Sequence, residues 1–342
     1  MANIDVTQVL NVVATSLAAY SKELFPNVIG NNSVLNYFDK KGKLGEYAGL
    51  VNTKKSGSIR YRKGGSAVIN RLSLVENPTI GFRGYRDLVP TDDKDVLRIA
   101  RFDWKFLLGN VKLWQAEIDF NSDSEWRLGD YIDSLKTNAY ETARNAVSAG
   151  IWNTTSPMGM VGIPALISDN GSSVNSVLGN IGGIDSTATD NANWANRTLT
   201  IPNTVSGQTI LQAIRRLKLM CTIGGKRPDL VLCNPTIYAA IQDYATTLQR
   251  FVEVPDQDLG TEVLRIEGMT FLPEENCPAG RVYLINTALM SFDVLGSSDS
   301  VIKISAPEKV PGQPQFLCPV SGTMTMTLFN RKAHGVLVIS PT

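Results

Sequence analysis

One histidine, His334, is all that the 342 residues contain, so any histidine-based metal site or Cys-His pair would depend on that residue alone. It stands just before the apolar run from Gly335 to Ile339, where a structural role is the expectation. Cys221, Cys233, Cys277 and Cys318 never come closer than a dozen positions, which excludes a CxxC pair for zinc or redox chemistry and leaves reduced, structural thiols. Phosphate-cradling loops are missing too. Gly224-Gly225-Lys226-Arg227 ends like a P-loop but lacks the earlier glycine and the Ser or Thr after lysine, and reads as the end of a helix and a turn. With no catalytic, cofactor-binding or metal-ligating set in view, the chain reads as a non-enzyme without cofactors.

Charge of one sign is also lacking. Lys plus Arg total 33 against 32 Asp plus Glu, so nothing global draws the chain to nucleic acid or to an acidic membrane. No apolar run reaches the roughly 18 residues that cross a bilayer. The start, Met1-Ala2-Asn3-Ile4-Asp5, has no basic region, apolar core or cleavage site of an export signal, so the product is expected to be made in the cytoplasm with no membrane partner.

What is present is a folding chain, 43% hydrophobic and 19% charged. Val6, Leu10, Val13, Leu17, Tyr20 and Leu24 form a helical apolar stripe that Pro26 ends, predicting a helix near 5–25. An extended connector follows from Asn27 to Gly49. From Gly57 to Leu107 the period becomes two. Lys63-Gly64-Gly65 is expected to turn a first strand pair, and Pro90-Thr91-Asp92-Asp93 separates a second pair. A strand over 96–106 would reach roughly 35 Å, so the pair is expected to project from the body as a ribbon that something else covers. Residues 124–151 then read as one long helix along Trp126, Ile132, Leu135, Ala139, Ala143 and Ala146, whose alanines suit close packing on a sheet. Ser168 to Thr204 reads as a surface loop region with few strands. Helices near 206–223 and 235–252 flank the buried-strand run Asp229 to Cys233, and later runs at 262–266, 281–286, 300–305, 322–329 and 335–340 read as strands.

Local charge is uneven. Lys54, Lys55, Arg60, Arg62, Lys63 and Arg71 come with no acidic residue among them. Glu253, Asp256, Asp258, Glu262, Glu267, Glu274 and Glu275 are interrupted by one basic residue, Arg265. Opposite charges on separate surfaces suit a head-to-tail contact between identical chains. A merely solvated basic hairpin and nucleic-acid binding are the other readings, the last weakened because Tyr61 alone offers a stacking surface. Candidate inter-subunit contacts are thus Lys54, Lys55, Arg60, Arg62, Lys63, Arg71, Glu253, Asp256, Asp258 and Glu262.

The order of these parts resembles the major capsid proteins of tailed bacteriophages, of the Hong Kong 97-like fold family. So do Phe102-Asp103-Trp104-Lys105, Gly162-Ile163-Pro164-Ala165-Leu166-Ile167, Ile181-Gly182-Gly183-Ile184-Asp185 with Trp194, and Arg227 to Pro235. The resemblance implies an α+β capsid fold: an N-terminal arm (1–50), an extended β-hairpin loop (51–107), a peripheral domain with a long spine helix (108–160, completed by strands about 320–342) and a mixed α/β axial domain (161–319). It further implies a head protein that self-assembles as hexamers and pentamers into an icosahedral shell. Expected partners are copies of itself, a separate scaffolding protein, a portal, a decoration protein, and packaged double-stranded DNA by non-specific proximity; a fused scaffold is either absent or already removed. Some family members cross-link lysine to asparagine, and Lys63, at an expected ribbon tip, is not assigned that part. An encapsulin-type compartment shares the fold and is the alternative.

Overall fold

The computed structural model describes residues 59–77, 79–88, 96–121, 125–202, 206–248, 252–256, 261–296 and 302–340, together with Val34. The expected helix near 5–25, the Pro90–Asp93 turn, Lys54, Lys55 and Asp258 lie outside the described residues. In chain order come β1 (Ile59–Arg62), β2 (Ala67–Ser73), β3 (Leu97–Asp103) and β4 (Lys105–Trp114), then α1 (Gln115–Asn121) and α2 (Glu125–Ile151). After α3 (Ile163–Leu166) a small hairpin forms from β5 (Val174–Asn175) and β6 (Gly179–Asn180). β7 (Arg197–Ile201), α4 (Gly207–Cys221), β8 (Leu230–Cys233) and α5 (Pro235–Leu248) follow. The remaining strands are β9 (Val252–Asp256), β10 (Thr261–Ile266), β11 (Met269–Pro273), β12 (Arg281–Ile285), β13 (Met290–Leu295), β14 (Lys303–Ile304), β15 (Glu308–Lys309), β16 (Gln315–Leu328) and β17 (Gly335–Ile339).

A seven-stranded mixed sheet, in the order β7-β17-β12-β8-β11-β10-β9, forms the centre. Successive residues of a strand face opposite ways, and here both faces are buried. Val231, Cys233, Phe271, Val282, Leu284 and Leu337 pack under α4 and α5, while Leu230, Leu232, Leu272, Tyr283, Ile285 and Val336 join the larger core on the other side. Burial on both faces is why β8 reads as an unbroken apolar run rather than an alternating one. α4 and α5 touch closely at Gly207: a Cβ there would sit 2.1 Å from the Ala240 carbonyl oxygen. β10 turns into β11 through Glu267 and Gly268, both at positive φ (54° and 77°), as a type I′ turn requires.

The second sheet is built around β16, with β13, β14, β15 and β4 all pairing to it, and β1 running parallel to β13. The closing strands therefore divide, β16 lying beside β4 and β17 joining the central sheet.

Three expectations are corrected. Lys63-Gly64-Gly65 does not turn a hairpin, because β1 pairs with β13, where Arg62 finds the buried Asp293, and β2 pairs with β3 instead. The ribbon is also shorter and better seated than its alternation implies. β3 ends at Asp103, Trp104 turns in to donate to the Gly65 carbonyl at 2.9 Å, and β4 leaves to pair with β16. The third expectation fails only in part: residues 168–202 have few strands and many exposed positions, as expected, but Ser173, Ile181, Ile184, Trp194 and Asn196 are buried and anchor the region. Their polar groups are satisfied locally, as when Ser173 Oγ donates to the Ile184 carbonyl at 2.5 Å, so polar composition did not report these buried positions.

α2 spans 27 residues, about 40 Å at 1.5 Å per residue. Its buried apolar stripe is Tyr140, Ala143, Val147 and Ile151; of the expected line Ala143 is buried, Leu135 and Ala139 are half-buried and Ala146 is exposed. These positions border a groove against β4.

Candidate assembly surfaces

β2 and β3 are in register from Ala67 opposite Asp103 to Ser73 opposite Leu97. Val68, Asn70, Leu72, Ala100 and Phe102 face the body and are buried, and Asn70 Nδ2 donates to the Leu328 carbonyl at 2.9 Å. Gly182, at φ 69°, lets this face approach, since a Cβ there would lie 3.1 Å from the Ala100 Cβ. The outer face carries Ile69, Leu97 and Ile99, each more than half exposed, interleaved with Arg71 and Arg101.

Beyond the strands, residues 79–88 hold a defined shape. Asn77 Oδ1 accepts from the Thr79 N–H and hydroxyl at 3.0 and 2.8 Å, and Asp87 Oδ2 accepts from the Gly84 N–H at 2.6 Å. From that frame Ile80, Phe82, Tyr85 and Leu88 project with 80% or more of their surface exposed. A third apolar strip runs along β4, where Phe106, Leu108 and Trp114 are exposed on one face. Large apolar side chains exposed in groups are candidates for contact with another molecule.

The basic candidates separate. Arg62 Nε pairs with Asp293 at 2.9 Å, and that carboxylate, fully buried, also accepts from Ser291 Oγ at 2.9 Å and Thr327 Oγ1 at 2.7 Å. Arg60 lies 4.8 Å over the Phe329 ring, its pKa pulled down by burial. Both arginines thus fasten the ribbon root to its own body, whereas Lys63 and Arg71 are exposed or nearly so. Of the acidic candidates, Glu253 and Asp256 lie on β9 and Glu262 on β10, a hairpin at the edge of the central sheet. Glu267 is taken up by Arg215 at 2.6 Å. Glu274 is buried, its pKa raised by that burial, and accepts from the Val34 N–H.

The four cysteines and the histidine are buried. Burial pushes the thiols of Cys221 and Cys277 up to about 12 and that of Cys318 up to about 11, with Cys233 pushed higher still, so none offers a thiolate near neutral pH. His334 is fully buried, its Nδ1 accepting from the Asn286 N–H at 3.2 Å. Burial first, then the neighbouring Arg331, push its pKa from 6.5 down to about 3, against smaller raising effects of Asp229 and the Leu289 backbone. The unfolded chain therefore binds a proton in acid that the folded protein refuses. Stability is complete above about pH 6.5 and should fall by about 1.4 kcal/mol per pH unit as pH drops toward 3. Urea midpoints at several pH values, compared with His334→Gln, test this: the variant should lose less stability in acid, and equal slopes would remove His334 as the cause.

Two features escaped the sequence reading. Arg331 is fully buried, and nothing about Asn330-Arg331-Lys332 distinguishes it from a surface turn. The 80–88 projection carried a usable signal: four large apolar residues with no helical or strand period, among Gly81, Gly84, Arg83 and Arg86.

No protein-family model and no curated protein sequence matches this chain. Solved structures do match. The capsid asymmetric unit of cyanophage A-1(L) aligns with a TM-score of 0.60 at 15% identity, over 87% of this chain and 98% of that one. The capsid of an empty GTA particle gives 0.51 at 12% identity, over 82% and 87%. The capsid of Myoviridae phage XM1 gives 0.50 at 13% identity, over 86% and 93%. The mixed α/β architecture is accordingly the Hong Kong 97-like capsid fold.

Proposed function

We propose that this chain is the major capsid, or head, protein of a tailed phage, copies of which form the hexamers and pentamers of an icosahedral shell around double-stranded DNA. The observation that carries this reading is the ribbon: rooted in its own core by Arg62 and Phe102, it displays Ile69, Ile99, Phe82 and Tyr85 outward and exposed. On a shared capsid fold the natural cover is another copy. In that reading residues 1–50 are the N-terminal arm, 51–107 the extended loop, 108–160 with about 320–342 the peripheral domain around α2, and 161–319 the axial domain. Lys54, Lys55, Lys63 and Arg71 of one copy would steer toward Glu253, Asp256, Asp258 and Glu262 of another, raising encounter rate more than affinity. Arg60 and Arg62 would act indirectly, by fixing the ribbon's direction. A separate scaffolding protein, a portal and a decoration protein are the further partners, and the protein resides in the virion. Its role is structural, not enzymatic.

Expressed alone or with a scaffolding protein, the chain is expected to give closed particles, or free pentamers and hexamers, in negative-stain images and sedimentation. A stable monomer at high concentration, with residues 79–88 resistant to protease, would overturn the reading. Particles filled with a protein cargo instead of nuclease-protected DNA would make it an encapsulin-type compartment.

A further inference from the structure

We propose that the exposed cations at the end of α4 and on the turn behind it form a surface that binds the phosphate backbone of double-stranded DNA. The proposal rests on the shell reading above, which supplies the DNA. Between Asp190 and Asp229 the sequence has no acidic residue and six basic ones, a longer acid-free stretch than the ribbon's. Five of the six fall within 215–227: Arg215, Arg216, Lys218, Lys226 and Arg227. The fold brings them together. α4 ends at Cys221, and Ile223 and Lys226 then close a two-residue turn, the Ile223 N–H donating to the Lys226 carbonyl at 3.1 Å and the Lys226 N–H to the Ile223 carbonyl at 3.0 Å. Gly224 and Gly225 supply the positive φ, 55° and 79°, that this turn needs. Burial first, then Arg227 and Arg215, lower the Lys218 pKa against the raising effect of Glu267, so these cations share one locality.

Little on the chain neutralises the group. Glu267 accepts from Arg215 Nε at 2.6 Å, and Lys218 Nζ donates to the Glu267 carbonyl at 2.6 Å. Asp229, the next acid in sequence, accepts from the Thr287 N–H and hydroxyl at 2.8 and 2.6 Å. A helix C-terminus favours a positive charge in its last turn, and Lys218 fills that place. Arg216, Lys226 and Arg227 remain, exposed and with no ion pair among the described residues. Crowded like charges destabilise the free subunit, and a bound polyanion relieves them. Arginine forks match phosphate oxygens, and no aromatic residue occurs from 195 to 228, so the patch can hold a backbone but cannot stack unpaired bases. From Arg215 to Cys221 the helix rises about 9 Å, a length along which duplex DNA places about five phosphate charges. An acidic protein surface carries the same sign, but Glu253, Asp256 and Glu262 of this chain are already matched to the ribbon in the shell reading.

The test is the fluorescence anisotropy of a labelled duplex of about 30 base pairs with the full-length free subunit, at about 50–200 mM salt. For the wild type, log K should fall against log salt with a slope of about −2.7 or steeper, the value for three phosphate contacts. The triple variant Arg216→Gln, Lys226→Gln, Arg227→Gln should flatten that slope by about 2.7 and weaken binding at least about tenfold at 100 mM salt, with its melting temperature unchanged. Arg216→Lys with Arg227→Lys keeps the charge and should keep most of the affinity, and Lys63→Gln with Arg71→Gln on the ribbon should bind as the wild type does. The proposal is overturned by a wild type that ignores the duplex at the lowest salt, by a triple variant that binds as well as the wild type, or by an equal loss in the ribbon variant. Tighter binding of poly-glutamate than of the duplex would also overturn it, by assigning the patch to an acidic protein. Shell formation is scored separately: shells without duplex binding defeat this proposal alone, and duplex binding without shells defeats the shell reading alone.

Discussion

Replacing Arg331 with methionine should lower stability by about 2–4 kcal/mol and so deplete the folded chain available to assemble. The guanidinium is fully buried and donates to four acceptors: Nε to the Leu166 carbonyl at 2.9 Å, Nη1 to the Trp194 carbonyl at 2.8 Å, and Nη2 to the Ser172 carbonyl at 2.9 Å and Asn196 Oδ1 at 3.1 Å. Burial lowers its pKa to about 10, so the group is still charged at neutral pH. No carboxylate is among these partners; the charge is held by carbonyl dipoles and by the Trp194 ring, 5.9 Å away. Methionine fills much of the volume but returns none of the bonds. The Leu166 and Trp194 carbonyls would lose this donor at about 1–3 kcal/mol each, whereas the Ser172 carbonyl and Asn196 Oδ1 still accept from Ser168, and the desolvation relieved by removing the cation offsets part of the loss. Arg331→Lys should lie between, because one ammonium cannot reach acceptors spread over three segments. Denaturant unfolding checks this, and a methionine variant within about 1 kcal/mol of wild type would show that the acceptors find water instead.

That clamp also marks the boundary of what the sequence could tell. Local pattern was a sound guide wherever one residue's neighbours in sequence decide its state. Asn234-Pro235 opens α5, Leu230 to Cys233 is the buried strand, and α2 begins within a residue of its expected start. Pairing is decided elsewhere. The alternation of Ile59 to Arg62 is real, but the partners that make β1 join β13 and not β2, Asp293 among them, lie more than two hundred residues away. The same holds for residues 168–204, whose serines and asparagines read as solvent-facing until Arg331 and Ser173 bring their bonding partners inside. Among the candidate contacts, charge alone could not separate Arg62, paired within its own chain, from Arg71 on an exposed strand face.

The double variant Phe82→Ser, Tyr85→Ser should fold as well as the wild type and fail to assemble. Both side chains are fully exposed and the turn that presents them is held by Asn77, Thr79, Gly84 and Asp87, none of which changes. Surface changes remote from such features shift stability by about 0.5 kcal/mol or less, so the melting temperature should hold. Assembly is different. Burying an aromatic side chain is worth about 1.5–3 kcal/mol, and losing two weakens each contact by roughly 10²–10⁴-fold in association constant. Association of two bodies forfeits an estimated 4–15 kcal/mol of freedom, so a contact so weakened loses most of its surplus. Every subunit of a closed shell would carry the same loss, which makes the concentration needed for assembly rise steeply. Sedimentation velocity alongside a thermal melt separates the outcomes. Particles at the wild-type concentration would show that the projection is not an assembly contact. A lowered melting temperature would show instead that these aromatics already pack within their own chain, and the case for a neighbour would then rest on Ile69 and Ile99 of the ribbon's outer face.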